Sequence, residues 1–316
     1  MGVETCMNRK EFGKLISSLR HEMGWTQEQL ARATDIDLPI ISQIERGVKS
    51  HFSPQQLLAM ADAFQLITLE RHEFFLAASG VEHSQLARPD RPQVASDTAD
   101  AEKELNKIKQ LMEQLRYPAL LRDPYSDVIL ANSAVMALFG MNPIVPGEGA
   151  ATPRPWFNII HSLFVRSQPV RMQMKSTKDW DEYVVNAMRL FRVSSLRYRA
   201  KPYFEHLMRI FHNPVVYPSF ERYWKLAYSV EQDVEASYYQ VSYQDRLVGD
   251  VKFITLSVPF TTAFGELYLA QAQPLNENTE RVFASLMKRT GGVVHRFSDW
   301  PEKHIPPAPR KPKRAS

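Results

Sequence analysis

Apolar positions recur at helical spacing through the first eighty residues. Phe12, Leu15, Ile16 and Leu19 follow an i, i+3, i+4, i+7 rhythm, which predicts an amphipathic helix stopped at Gly24. Thr26 and Gln29 have the spacing of a capping box, so a second helix starts there, with Leu30 and Ala33 turned inward. Asp35 stands where the turn needs a left-handed residue, a conformation that Asp tolerates better than most. Asp37 is the expected cap of a third helix, and Pro39 suits its first turn. Ile36, Ile41 and Ile44 form its buried side, and Gly47 ends it. Ser53 and Gln56 make another capping box around Pro54, followed by Leu57, Leu58, Ala61 and Phe64. A fifth helix is expected from about Thr68 to Ala78, ending before Gly80.

The pattern then changes. Residues 81–100 carry two prolines and many small polar residues and read as a linker. From Ala101 to Leu115, the stripe Leu105, Ile108, Leu111, Met112 and Leu115 predicts a helix that docks on the next domain, or else pairs with its twin in a dimer. Pro118–Leu130 reads as strand, turn at Asp123-Pro124, strand, with a helix starting near Asn132. Ala236–Tyr243, Asp250–Pro259 and Glu266–Gln273 are three more strand-like runs, giving about five antiparallel strands. Between the two strand groups lies a helical insertion. A long helix begins at Asp179-Trp180-Asp181-Glu182, with Trp180, Tyr183, Val184, Ala187 and Phe191 on one side. Acids at its start and Arg192, Arg197 and Arg199 near its end match the helix macrodipole. Two helices, Tyr203–Phe211 and Ser219–Tyr228, follow it. A last helix spans about Asn278–Thr290, with Gly291 as its stop. Residues 300–316, rich in Pro, Lys and Arg, are expected to be disordered.

Two stretches, Thr26-Gln27-Glu28-Gln29-Leu30-Ala31 and Ile41-Ser42-Gln43-Ile44-Glu45-Arg46-Gly47, resemble the Xre/Cro and lambda-repressor family of helix-turn-helix proteins. The likeness covers about residues 9–79. It implies that the second helix of the motif enters the major groove of double-stranded DNA. Gln27 then matches a position against the phosphate backbone. Leu38, Pro39, Ile40 and Gln43 match positions near base edges, and Ser42, Arg46 and Lys49 match positions near phosphate. Leu38-Pro39-Ile40 departs from the family, which often has hydrogen-bonding side chains there. Apolar groups meet thymine methyls, and Gln43 can pair with adenine.

A second resemblance rests on Asp127-Val128-Ile129-Leu130-Ala131-Asn132-Ser133-Ala134, on Pro155–Phe164, on the Trp180 helix and on Pro218–Trp224. These look like the MmyB-like ligand-binding domain, over roughly residues 105–292. The resemblance implies a PAS-like α+β fold behind an Xre-type domain, with residues 80–104 as linker and start of a connecting helix. The whole chain is then an all-α N-terminal domain of five helices followed by a PAS-like α+β domain. That second domain has a roughly five-stranded antiparallel sheet and a helical insertion. It would sense a small apolar effector, a fatty acid or acyl group. The alternative is a ligand-free module for dimerisation or partner docking.

Composition narrows this. The 316 residues are 44% hydrophobic and 23% charged, ordinary globular material for two domains. The net charge of +4 does not by itself imply nucleic acid. Residues 1–80 hold eight Lys and Arg against ten Asp and Glu, so phosphate attraction by one copy is modest, and a homodimer is expected to supply the affinity. From Arg154 to Lys225 the balance reverses, to thirteen Lys and Arg against five acids. A carboxylate ligand would find a cation there, with Arg171, Arg189 and Arg192 as candidate anchors. Trp180, Tyr183, Phe191 and Phe204 are candidate cavity walls, though for any single residue the ordinary account is that the aromatics are core and the arginines a solvated face. The single cysteine, Cys6, excludes an internal disulfide and fits a reducing cytoplasm. No apolar run reaches the roughly 20 residues of a membrane span, and the N-terminus lacks a signal-peptide core. There is no HExxH, CxxC, GxSxG or phosphate-cradling glycine loop. The expectation is therefore a non-enzyme that requires no cofactor or metal.

Overall fold

The computed structural model describes residues 7–49, 51–83, 98–139, 157–165, 180–228, 238–245 and 249–305. Five helices form the N-terminal unit: α1 Arg9–Glu22, α2 Gln27–Thr34, α3 Leu38–Glu45, α4 Pro54–Ala63 and α5 Thr68–His83. Capping boxes start three of them, at Asn8/Glu11, Thr26/Gln29 and Ser53/Gln56. Asp35 is left-handed at φ 53°, as the turn demands. Phe12, Leu15, Ile16, Leu30, Ile41, Ile44, Met60, Phe64 and Phe74 close one core. Fully burying each such side chain contributes about 1.5–3 kcal/mol.

Several local expectations need correction. Ala33 is exposed and Thr34 is buried in its place, its hydroxyl donating to the Leu30 carbonyl at 2.8 Å. Asp37 begins α3 without a side-chain cap bond. Helix α5 runs through Gly80 to His83. One interior glycine costs only about 1 kcal/mol, and Phe74, Ala77 and Ala78 already anchor the helix in the core.

The second unit is built on a six-stranded, wholly antiparallel sheet in the order β3-β4-β5-β1-β2-β6. The strands are β1 Ala119–Arg122, β2 Val128–Asn132, β3 Tyr238–Asp245, β4 Gly249–Thr262, β5 Gly265–Pro274 and β6 Val294–Arg296. The sequence pattern did not show β6, because three residues are too few for alternation to register. It pairs with β2 after Gly291 and Gly292, both at positive φ, reverse the chain.

Helix α6, Thr98–Glu113, lays Ala101, Leu105, Ile108 and Met112 on one face of this sheet, against Leu121, Ile129 and Leu267. It is therefore docked, although Leu111 of its predicted stripe is left 56% exposed. The other face carries α7 Ser133–Leu138, α8 Ile159–Phe164, α9 Trp180–Ser195, α10 Pro202–Phe211, α11 Phe220–Leu226 and α12 Glu277–Thr290. A 3-10 turn, Leu196–Tyr198, follows α9.

The tail expectation is corrected for its first part. Trp300 is buried beside α6, and Lys303 pairs with Asp123 and Asp127 at 2.5 and 2.8 Å. These contacts give residues 300–305 a fixed place. Residues 306–316, the linker core 84–97, Cys6, Arg171 and Asp179 lie outside the described residues.

Candidate nucleic-acid interface and cavity

Helix α3 lies across α1, and Gly13 permits that approach. A Cβ on Gly13 would stand 2.4 Å from the Ile44 carbonyl oxygen and 2.7 Å from that of Glu45. A charged staple sits beside this contact. Arg20 donates from Nε and Nη2 to both Glu45 oxygens, at 2.7 and 3.0 Å, and from Nη1 to the Trp25 carbonyl at 2.6 Å. Gln27 Nε2 adds a bond to Glu45 Oε2 at 2.8 Å. Burial works to raise the Glu45 pKa, but the bonds from Arg20 and Gln27 outweigh it and hold the carboxyl below its usual range. Sequence reasoning missed this staple, because only the α1–α3 crossing brings Arg20 to Glu45.

The staple fixes the outward face of α3. Leu38 is 39% exposed, and Pro39, Gln43 and Arg46 are exposed. Ser42 and Lys49 are half-buried, and Ile40 is half-buried with its side chain packed against the N-terminal core. Arg46 Nε folds back onto the Ser42 carbonyl at 3.2 Å. Gln27 is engaged with Glu45, at the helix start where a phosphate would approach. Of the predicted DNA-contacting residues, Leu38, Pro39, Gln43 and Arg46 are thus exposed on α3 and its C-terminal end, while Ile40 turns partly into the core.

Among the described residues, the predicted ligand-contacting side chains do not line the cavity found between the sheet and α9. Tyr183, Phe191 and Phe204 are core residues, Phe191 and Phe204 stacking at 6.0 Å, and Trp180 packs against the same core. Arg189 is buried, and desolvation lowers its pKa. Arg192 is fully buried and reaches the other unit. Its Nη2 donates to Glu70 of α5 at 2.8 Å, and its guanidinium lies over the Tyr228 and Trp224 rings at 3.6 and 4.8 Å.

A partly open cavity of about 50 Å³ lies elsewhere, between the sheet and α9. Ala187 and Leu190 of α9, Phe139, Phe253, Arg122 and Ser257 are among its walls. Arg122 is 4% exposed; its Nη1 donates to Ser194 Oγ of α9 at 3.2 Å and to the Asp123 carbonyl at 3.3 Å. The Tyr268 ring lies 4.4 Å from the Arg122 guanidinium. Ser257 Oγ is buried without a hydrogen-bond partner. Arg122 was not visible as a site residue, because in sequence it is one charge ending a short strand.

Residues 16–71 match the family model for a helix-turn-helix, and residues 106–286 match that for the MmyB-like transcription regulator ligand binding domain. The second match covers more than half of the chain. The chain belongs to the MmyB-like transcription regulators. Among curated proteins, none matches it. An MmyB-like regulator has two working parts, a DNA-binding helix-turn-helix and a ligand-binding domain, and both are present here in that order. No helix among the described residues is long and apolar enough to cross a membrane.

Proposed function

We propose that α3 reads a pseudo-palindromic operator as part of a homodimer, with half-sites about one helical turn apart. The exposed Leu38-Pro39 edge and Gln43 support contacts to base edges, and Arg46 and Lys49 support contacts to phosphate. The ligand is a small apolar molecule with an acidic or acyl head, such as a fatty acid. It enters the cavity between sheet and α9, and its head takes Arg122. The observation that carries this reading is a buried guanidinium and an unpartnered hydroxyl, Ser257 Oγ, in a mostly apolar wall that Ser126 and Thr255 also line. A carboxylate would compete with Ser194 and the Asp123 carbonyl for Arg122.

The volume of about 50 Å³ favours the second reading, a ligand-free docking module, since ligand sites run to roughly 300–1,000 Å³. Under the first reading the wall must open around the chain of the ligand. Native mass spectrometry of freshly purified full-length protein separates the two. A retained acyl-sized mass, lost or reduced in Arg122→Met, supports the sensor. Bare protein, with dodecanoic acid not retained on addition, overturns it in favour of docking.

A further inference from the structure

The two units meet through a buried ionic cluster. Glu70 of α5 is 0% exposed and is gripped by two guanidiniums, Arg192 at 2.8 Å and Arg199 at 2.5 Å. Arg199 also reaches Glu22 of α1 at 3.1 Å, and its carbonyl accepts from Ser18 at 3.1 Å. Leu196, between the two arginines, is fully buried in the N-terminal core beside the residues of α1 and α5. Farther out, Arg197 pairs with Glu73 at 2.8 Å and Lys201 with Glu11 at 3.2 Å.

All four cations follow one another at the end of α9 and the turn after it. Helix α9 is also a wall of the cavity, through Ala187 and Leu190. Ser194 sits between, accepting from Arg122 at 3.2 Å and donating to the Pro124 carbonyl at 3.1 Å. A short path of contacts therefore runs from cavity to DNA-binding unit: Arg122, Ser194, the end of α9, then Arg192 and Arg199 on Glu70.

We propose that the Glu70–Arg192–Arg199 cluster is a releasable lock between the two units, and that a ligand taking Arg122 loosens it by shifting the end of α9. This rests on the cavity being the ligand site. Two observations favour a releasable contact over a fixed one. The cluster is incompletely satisfied, since Glu22 Oε1 and Arg199 Nε are buried with no hydrogen-bond partner. Water would serve those atoms once the units part, which offsets some of the lost attraction. The cavity is also too small for an acyl chain unless a wall moves, and α9 is the wall that carries the lock. Release does not uncover α3, which already faces outward. It frees the N-terminal unit to change its angle, and so the spacing of two recognition helices on an operator.

Hydrogen-exchange mass spectrometry of the full chain tests this in two arms. Coupling is reciprocal, so breaking the lock from the α5 side must be felt at the cavity. In Glu70→Gln, exchange is expected to rise at least tenfold in residues 68–83, 187–198 and 119–122. Glu73→Gln, a milder change at a less buried pair, is expected to move the same segments less. Unchanged exchange at 187–198 and 119–122 in both variants overturns the proposal. In the second arm dodecanoic acid is the probe, and its binding is counted by native mass. Bound dodecanoic acid is expected to speed exchange in 68–83 and 192–198, with less than half that response per bound molecule in Ser194→Ala. Binding without any response at 68–83 contradicts the lock. Failure of dodecanoic acid to bind removes the cavity reading, and the first arm then decides whether a lock exists.

Discussion

Lys303 reaches back from the C-terminal segment to Asp123 and Asp127, two carboxylates that are each 1% exposed on the β1–β2 turn. Burial drives the Asp123 pKa up to about 6; Lys303 pulls the other way without cancelling it, and Asp127 adds to the rise. The folded chain therefore holds a proton on Asp123 that the unfolded chain has released, between the ordinary carboxylate value and about 6. Stability from this group falls as pH rises through that window. Asn at 123 cannot titrate. The melting temperature of Asp123→Asn relative to wild type is therefore expected to move in favour of the variant from pH 4 to pH 6. A gap that is flat or moves the other way would show that Asp123 is ionised throughout. Lys303 is held protonated beyond its usual range by the same two carboxylates, despite burial. Its contribution persists through neutral pH and is lost only in strong alkali. Neither effect was readable from the sequence, where Lys303 is one basic residue in a proline-rich tail and the two aspartates look like turn residues.

At the level of elements, the helices with a capping box or a left-handed stop were legible. The boxes at Thr26/Gln29 and Ser53/Gln56 and the left-handed stops at Asp35, Gly47 and Gly291 lie where local chemistry demands them. Long strands β4 and β5 were legible for the same reason, since alternation persists over enough residues. Short β6 and the extension of α5 depend on partners distant in sequence, so periodicity alone did not reveal them. The crossing of α1 and α3 is a sharper case. The sequence shows Gly13 inside a helical run, where its lack of a side chain looks like a weakness. The structure gives the reason, because the backbone of α3 occupies the place of a Cβ. Gly13→Ala is expected to push α3 off α1 and cost about 1–3 kcal/mol, seen as a lower urea midpoint. It should also weaken DNA binding, because the Arg20–Glu45 staple would no longer hold α3 in register. An alanine variant as stable as wild type would mean that the two helices can part without penalty.

Across the whole molecule, two charge imbalances that stand far apart in sequence explain each other. The N-terminal unit is not basic, and four of its acids, Glu11, Glu22, Glu70 and Glu73, face the second unit. The cation surplus of the helical insertion supplies Arg192, Arg197, Arg199 and Lys201 to meet them. Arg192, Arg197 and Arg199 read from sequence as macrodipole partners, and Arg192 also as a ligand anchor; in the fold they are an interface. At Glu70 burial opposes ionisation, but the two guanidiniums outweigh it and hold the carboxyl below its usual range. Its stabilising effect is thus present at neutral pH and lost as pH falls through the lowered value. Glu70→Gln, which strands two buried guanidiniums, is expected to destabilise the chain by about 3–5 kcal/mol. Arg197→Ala, at side chains left 18% and 27% exposed, strands no fully buried charge and should cost less than Glu70→Gln. Equal losses in urea denaturation would show that burial does not distinguish the two pairs.

The proposal is that α3, held outward by α1, reads a DNA duplex. Selecting binders from random duplexes with the full chain, then titrating the enriched duplex against wild type, Gln43→Ala and Arg46→Ala, tests it most directly. An enriched site with two half-sites about one turn apart is expected. Gln43→Ala should lose about 1–3 kcal/mol on that site but little on unrelated DNA. Arg46→Ala should weaken binding to both alike. No enrichment, or two variants that bind as wild type does, would contradict it.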